Sequence, residues 1–368
     1  MMSASDLPSI IALSMVPHIG DVHMKTLMQH FPRASDIFRA KRKELERIPG
    51  IGTVRASSIR NFRDFSRAEK EIRFLEKFRI RAIHTGDEEY PKRLLHCADA
   101  PVLFYYRGNS DLNEKRILSI VGTRDPSDYG REWVALLLEE LAAYRPLIVS
   151  GLAYGIDTIA HRKALKNGLQ TVGIMAHGLD RIYPHANKTL AGEMILQGGL
   201  LTDFMSGTPP DAQNFPRRNR IVAGIADAVI VVETGDKGGS MITADIANSY
   251  NKDVFALPGR VTDNRSRGCN RLIREHKAQL VSCAGDIVEM LNWDCQSRPE
   301  MRIQRTLFND LGPDERKIMD MLTDTHPLSL DDIRIRSGLK AGETATAILS
   351  LEMMGLIRAL PGKIYRPE

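Results

Sequence analysis

The chain has 368 residues, 51 Lys and Arg against 46 Asp and Glu, and a formal net charge of +5. With 43% hydrophobic and 26% charged residues it has the composition of a folded globular protein, which excludes a disordered, collagen-like or acidic-tail chain. No apolar run reaches the roughly 20 residues of a bilayer span, so no membrane association is expected. The opening residues lack a basic segment and are interrupted by Pro8, Pro17 and His18, which argues against a secretory leader. Cys97, Cys269, Cys283 and Cys295 show no C-x-x-C pairing and no accompanying histidine cluster. Reduced thiols in a cytoplasmic protein are expected, with no metal and no disulfide framework.

Residues 1–80 read as short helices joined by glycine-containing turns. Pro17-His18-Ile19-Gly20 and Ile48-Pro49-Gly50-Ile51-Gly52 each precede an apolar helix. The second has the form of a helix-hairpin-helix turn, whose glycines let backbone amides approach a DNA phosphate without reading sequence; a purely structural helical bundle is the alternative. Residues 81–295 form the central domain. Strands are predicted at Ile117–Val121, Leu147–Val149, Thr171–Met175, Ala228–Val232 and Val254–Leu257. Helices are predicted over Gly130–Tyr144, from Asp157, and over Lys188–Leu196, Arg218–Ala226 and Met241–Tyr250. Short β-branched runs alternating with such helices predict βαβ units. The expected fold is α/β, a Rossmann-like doubly wound, mostly parallel sheet covered on both faces. A polar linker is placed at 296–311. Residues 312–368 read as helices at Pro313–Leu322 and Leu330–Ser337, a turn at Gly338, a helix at Glu343–Met354, then Gly355 and a hairpin within Leu356–Tyr365, a winged-helix arrangement. The third of these helices has no Arg or Lys, so protein contact or a structural role is expected there rather than duplex reading.

In doubly wound sheets ligands bind beyond the carboxyl ends of the strands. Three predicted loops lie there. Gly122-Thr123-Arg124 offers a tight turn, a hydroxyl and a forked cation suited to phosphate. Ser150-Gly151-Leu152-Ala153-Tyr154-Gly155-Ile156-Asp157 exposes backbone amides at a helix start. Gly238-Gly239-Ser240 leads through Thr243 into another helix. The dinucleotide fingerprint and the Walker A pattern are both absent. Asn214-Phe215-Pro216-Arg217-Arg218-Asn219-Arg220 combines cations for phosphates with a ring on which a base can stack. Asn187-Lys188 adds a further cation, and Arg260, Arg265, Arg267, Arg271 and Arg274 continue the basic character. This pattern describes a groove for single-stranded nucleic acid better than a mononucleotide pocket. Asp157 and His161, four apart, suit acid–base work or, more simply, a helix cap; no nucleophile elbow or triad is present.

Several blocks resemble, in order, the signature of the bacterial DNA-processing protein A (Smf) family. They are Val121-Gly122-Thr123-Arg124, Ser150 to Asp157 with Ala160-His161, Gly178-Leu179-Asp180 with Tyr183-Pro184, Phe215 to Arg220, and Pro258-Gly259 with Gly268-Cys269-Asn270. The resemblance implies a non-enzymatic single-stranded DNA-binding protein without a cofactor. It also implies a homodimer through the Rossmann-like domain, which helps RecA recombinase load in natural transformation and recombination. By motif position Arg124 is the phosphate-gripping arginine and Lys188, beside Asn187, a second groove cation. Phe215, Arg217, Arg218, Asn219 and Arg220 would contact nucleotides, and Gly151, Gly155 and Gly239 would shape the floor. Gly122, Thr123, Ser150, Gly238, Ser240, Thr243 and Asn270 complete the expected DNA-binding set. Two departures stand out: Gly238 replaces the usual serine, removing a hydroxyl, and His276-Lys277-Ala278 replaces the usual Gly-Ala. The rival class is a Rossmann-like nucleotide phosphoribohydrolase, whose P-G-G-x-G-T-x-x-E run Lys237 to Thr243 does not reproduce.

Overall fold

The computed structural model describes residues 6–293, 311–324, 327–354, 356–360 and 362–367. Cys295, Gly355, Pro361 and the expected linker, apart from Leu311, lie outside them. The chain divides into two compact units, 1–295 and 296–368.

Six helices open the first unit: α1 (Leu7–Ser14), α2 (Asp21–His30), α3 (Ala34–Arg39), α4 (Arg42–Glu46), α5 (Gly52–Asn61) and α6 (Phe65–Phe78). Each is too short to persist alone, so burial of one apolar stripe per helix must hold it. Ile10, Leu13, Met24, Leu27, Ile37, Leu45, Ile59 and Leu75 supply those stripes. Their shared core also takes Val102, Leu103 and Tyr105 from the sheet.

The sheet has nine strands in the order β1-β2-β6-β5-β4-β3-β7-β8-β9. They are β1 (Arg81–His84), β2 (Leu103–Gly108), β3 (Ile117–Gly122), β4 (Leu147–Ser150), β5 (Thr171–Ile174), β6 (Gly198–Thr202), β7 (Ala228–Val232), β8 (Asp253–Ala256) and β9 (Gln279–Leu280). From β6 to β9 every neighbouring pair is parallel; β1 and β2 add an antiparallel edge. Helices α7 (Asp128–Leu141), α8 (Ile156–Lys166) and α13 (Ala284–Met290) cover one face. On the other lie α10 (Asn214–Ile225), α11 (Gly239–Ser249) and α12 (Arg267–Arg274), while α9 (Lys188–Leu196) lies on the first face beside α8, packed on β6 through Leu190 and Met194. Side chains along β3 sort between the two layers: Leu118 and Ile120 join the α7–α8 core, Ile117 and Val121 the α10–α11 core. This is the period-2 alternation of a strand buried on both faces. The five predicted strands are present, and β1, β2, β6 and β9 are additions. The chain runs outward from β3 through β4 and β5 to β6, then returns to place β7 on the other side of β3. That reversal opens a crevice at the carboxyl ends of β3 and β7.

The second unit contains α14 (Pro313–Asp324), β10 (Leu328–Ser329), α15 (Leu330–Ser337), α16 (Ala341–Met353), β11 (Ile357–Leu360) and β12 (Ile364–Pro367). Its strands pair antiparallel in the order β10-β12-β11. Ser329 caps α15 by accepting from the Asp332 amide at 3.2 Å, and Gly338 ends that helix in the left-handed region. Ile318, Leu322, Ile333, Ile348, Leu351 and Ile357 form its core, a winged helix.

Polar ties fasten the N-terminal helices to the sheet domain. The Arg220 Nη2 atom bonds Asp203 Oδ2 at 2.8 Å and Asp21 Oδ2 at 2.9 Å, while its Nη1 donates to the Asp99 carbonyl. Glu71 of α6 accepts from the Ser206 amide at 2.8 Å and from Arg67 at 2.8 Å. Replacing Arg220 leaves the carboxylate of Asp203, whose side chain is 5% exposed, without its cation. Arg220→Ala is therefore expected to destabilise the first unit by about 3–5 kcal/mol, read as a lower midpoint in urea unfolding. An unchanged midpoint would show that the cluster contributes nothing net.

Candidate functional site

The crevice holds a cleft of about 340 Å³. Its walls come from distant parts of the chain. Gly122, Thr123 and Arg124 leave β3, Ala153 and Asp157 belong to the β4–α8 loop, and Thr234 and Gly235 follow β7. Phe215, Arg218 and Asn219 come from the first turns of α10, and Gly238 to Ser240 with Thr243 from the start of α11. A smaller chamber continues from it past Gly151, Tyr154, His177 and Tyr183.

Close backbone approach sets the floor. Gly155 has φ +78°, and a Cβ there would lie 2.3 Å from the Thr123 carbonyl oxygen, which accepts the Ile156 amide at 3.1 Å. A Cβ on Gly151 would fall 2.4 Å from the Arg218 guanidinium. Arg218 is 5% exposed. Its Nη1 donates to the carbonyls of Gly151 (2.5 Å) and Ile174, and its Nε to Asn219 Oδ1 (3.1 Å). The Nη2 atom donates to no protein group among the described residues. Asp157 lies close by, its Oδ2 accepting from the amides of Gly151 (3.1 Å) and Ala153 (3.3 Å). Burial raises the Asp157 carboxyl, with the Arg218 charge pulling it back. Burial also lowers Arg218, yet an arginine starts so high that it stays charged near neutral pH.

Above this floor stands a wall of rings and cations. The exposed Arg124 guanidinium lies 5.6 Å from the centroid of the Phe215 ring, and Arg218 lies 6.0 Å from it. The Tyr183 ring is 6.2 Å from Phe215 at 55° and is 45% exposed. At the far side α11 begins at Gly239, so its positive dipole end faces the cleft.

Of the expected set, Gly122, Thr123, Arg124, Phe215, Arg218, Asn219, Gly238, Gly239, Ser240 and Thr243 meet in this cleft. Gly151 lines the adjoining chamber and Gly155 supports the loop beneath Thr123. The others lie outside these two chambers. Ser150 is buried and donates to the Ile120 carbonyl at 2.6 Å. Asn187 is buried and braces the loop after β4 through the Leu152 carbonyl (3.0 Å) and Thr158 Oγ1 (2.8 Å). Asn270 is tied to the Gly259 backbone at 3.2 and 3.0 Å. Arg217 lies 5.2 Å from the Phe204 ring, and Arg220 is held by Asp203 and Asp21. Lys188 is exposed at the start of α9 and lines neither chamber. Asp157 holds upstream amides instead of capping α8, so neither the cap nor an acid–base pair with His161 describes it. Tyr183, Tyr154, His177 and Thr234 also join the site, and local sequence assigns them no role there. Only the Tyr183-Pro184 motif hints at one.

The fold and cleft define a doubly wound α/β protein with a cationic, ring-walled cleft at its switch point. Residues 81–292 match the family model for DNA recombination-mediator protein A, residues 308–363 the DprA winged helix domain, and residues 9–72 the helix-hairpin-helix motif. The chain is 31% identical to Protein Smf of Synechocystis over 401 residues, covering 99% of this chain and 100% of that protein. It is 42% identical over 202 residues to DNA processing protein DprA of Streptococcus pneumoniae, covering 55% of this chain and 71% of that one. The crystal structure of the S. pneumoniae protein superposes with a TM-score of 0.68 at 31% identity, over 78% of this chain and 98% of that one. The solved structure of Helicobacter pylori DNA processing protein A, described for its single-stranded DNA binding mode, gives 0.53 at 32% identity over 58% of this chain and 96% of that one. The chain belongs to the DNA recombination-mediator protein A family.

Two tests address the floor. Gly155→Ala forces a Cβ into the Thr123 carbonyl at positive φ and is expected to cost about 1–3 kcal/mol in urea unfolding. Gly239→Ala meets nothing within 4 Å and should leave the midpoint unchanged; equal destabilisation by both would contradict the packing described. His161 is buried, with Nδ1 2.7 Å from Thr171 Oγ1. Burial, then the Arg218 charge, lower its pKa from 6.5 to about 3. The folded value lies below the unfolded one, so the contribution is full above pH 6.5 and is lost as pH falls toward 3. Relative to His161→Leu, the parent should lose up to about 1.4 kcal/mol of stability per pH unit in that window. A pH-independent difference between the two would refute the assignment.

Proposed function

We propose that the protein binds single-stranded DNA in this cleft, without catalysing a reaction on it, and passes the strand to a RecA-type recombinase during DNA uptake and recombination. The observation that carries the reading is the wall formed by Tyr183, Phe215 and Arg124 over the buried Arg218 guanidinium. Rings offer stacking to any base, and the cations with the α11 terminus attract any phosphate, so the site suits an unpaired strand of any sequence. A duplex keeps its bases paired and stacked out of reach of such a cleft. Membership of a recombination-mediator family and the single-stranded DNA binding mode of the H. pylori relative support the same reading. Loading of RecA, action as a homodimer and a cytoplasmic location belong to the proposal on the strength of that family.

The phosphoribohydrolase reading finds little support. Asp157 is the one acid lining the cleft among the described residues, and its carboxylate is committed to two loop amides.

Fluorescence anisotropy with single- and double-stranded oligonucleotides across a salt series tests the proposal. Arg124→Glu should weaken binding to every single-stranded sequence and flatten the plot of log K against log salt by about 0.7 for each phosphate that is no longer neutralised. Phe215→Ala should cost about 1–3 kcal/mol of binding with the salt slope retained. If Arg124→Glu binds as the parent does, the cleft is not the DNA site.

A further inference from the structure

We infer that the bound strand leaves the cleft over the rim formed by the β7–α11 and β8–α12 loops, where Lys237, Arg260 and Arg267, the first residue of α12, hold its next phosphates. This rests on the single-stranded DNA reading of the cleft and assigns the path beyond it.

Topology puts the loop beside the site. β8 is the parallel neighbour of β7, so the loop that follows β8 emerges at the same sheet edge as Thr234 and Gly235. It is fastened there. The Gly268 amide donates to the Thr234 carbonyl at 2.8 Å, and a Cβ on Gly268 would lie 2.5 Å from Thr234 Cγ2. Arg265 grips Asp125, the residue after Arg124, through Nε to the carbonyl (2.9 Å) and Nη2 to the carboxylate (2.5 Å). Arg271 donates to the Asp236 carbonyl at 3.0 Å. The loop is thus a built extension of the cleft wall.

The charges on it are sorted. Two acidic side chains of this rim are paired with arginines, Asp125 with Arg265 and Asp236 with Arg271 at 3.7 Å, while Asp263 accepts from the Arg265 amide at 2.9 Å and keeps its charge. Lys237, Arg260 and Arg267 are exposed, and their side chains make no hydrogen bond or ion pair among the described residues. Exposed cations that form no ion pair attract an anionic backbone, whose binding releases its condensed counterions. Val261, next to Arg260, is 84% exposed, an apolar surface at the crest on which an unpaired base can rest. Across the cleft the arrangement is the reverse, since Arg217 is laid on Phe204 and Arg220 is neutralised by two aspartates.

The test uses the full chain with oligothymidylates of about 4 to about 20 nucleotides, a range spanning the site sizes of single-strand binders. The variant is the triple Lys237→Gln, Arg260→Gln, Arg267→Gln, whose exposed positions spare the core; its thermal unfolding should match the parent's. For the longest oligonucleotides its salt slope should fall by about 2, and affinity near 0.1 M salt by about 100-fold. For the shortest ones, which fill only the cleft, affinity should stay near the parent's. If the triple variant keeps the parent's slope at every length while Arg124→Glu loses binding, the exit path is wrong and the cleft reading stands. If the parent itself binds no single strand at low salt, the cleft reading falls and takes this inference with it.

Discussion

The cleft exists because Arg218 is buried where the ends of β4 and β5 meet the first turns of α10. Its Nη1 is shared by the carbonyls of Gly151 and Ile174, two groups at strand ends that have no ladder partner of their own. Left bare in a buried position, each would cost a desolvation penalty of about 1–3 kcal/mol. Satisfying both with one guanidinium fixes α10 against the sheet edge, and that places Phe215 and Asn219 over the crevice. The arrangement demands glycine at 151, because a side chain there would occupy the guanidinium's own space. It also introduces a buried positive charge. Asp157 tempers it at short range, while the Nη2 atom stays without a protein partner among the described residues, beside an open cleft.

The basic stretch from Phe215 to Arg220 shows how a helix divides one composition among several tasks. Successive residues on a helix are turned by about 100°, so Arg218 cannot share a direction with either Arg217 or Arg220. Arg218 turns into the floor of the cleft and Arg217 outward onto the Phe204 ring. Arg220 turns toward the N-terminal helices, where Asp21 and Asp203 receive it. The same helix therefore builds the site and joins it to the helical region. That region packs on β2 through a continuous apolar core, so it is part of the first unit's rigid framework.

Much of the fold is legible in the sequence. Ile117–Val121, Leu147–Val149 and Ala228–Val232 are uninterrupted apolar runs of strand length, and they form the central strands β3, β4 and β7. The four strands that the pattern misses lack that signal. β9 has only two residues, β1 carries polar Arg81 and His84 at its ends, and β6 opens with Gly198 and Gly199. Gly199 has no Cβ to betray a strand, and its absence is what lets the Tyr106 ring pack there. β2 turns Leu103 and Tyr105 to the N-terminal helices and Phe104 and Tyr106 to the sheet's own core, and no local pattern announces the first of these partners.

Local periodicity and the glycine-punctuated loops determined the α/β class, the flanking helical and winged-helix units and the family signature. Those features depend on neighbours within a few residues, which a sequence displays directly. Only the tertiary structure decided which of the polar side chains meet. Pairing β7 with β3, as in Leu118 opposite Ala228, brings together loops more than a hundred positions apart. The selection of Arg124, Arg218 and Tyr183 for the cleft, and the diversion of Ser150, Asn187 and Arg220 into the framework, followed from that long-range packing. Whether a charge faces solvent, a carbonyl or another charge is settled by what the fold places opposite it, and chain order carries no record of that.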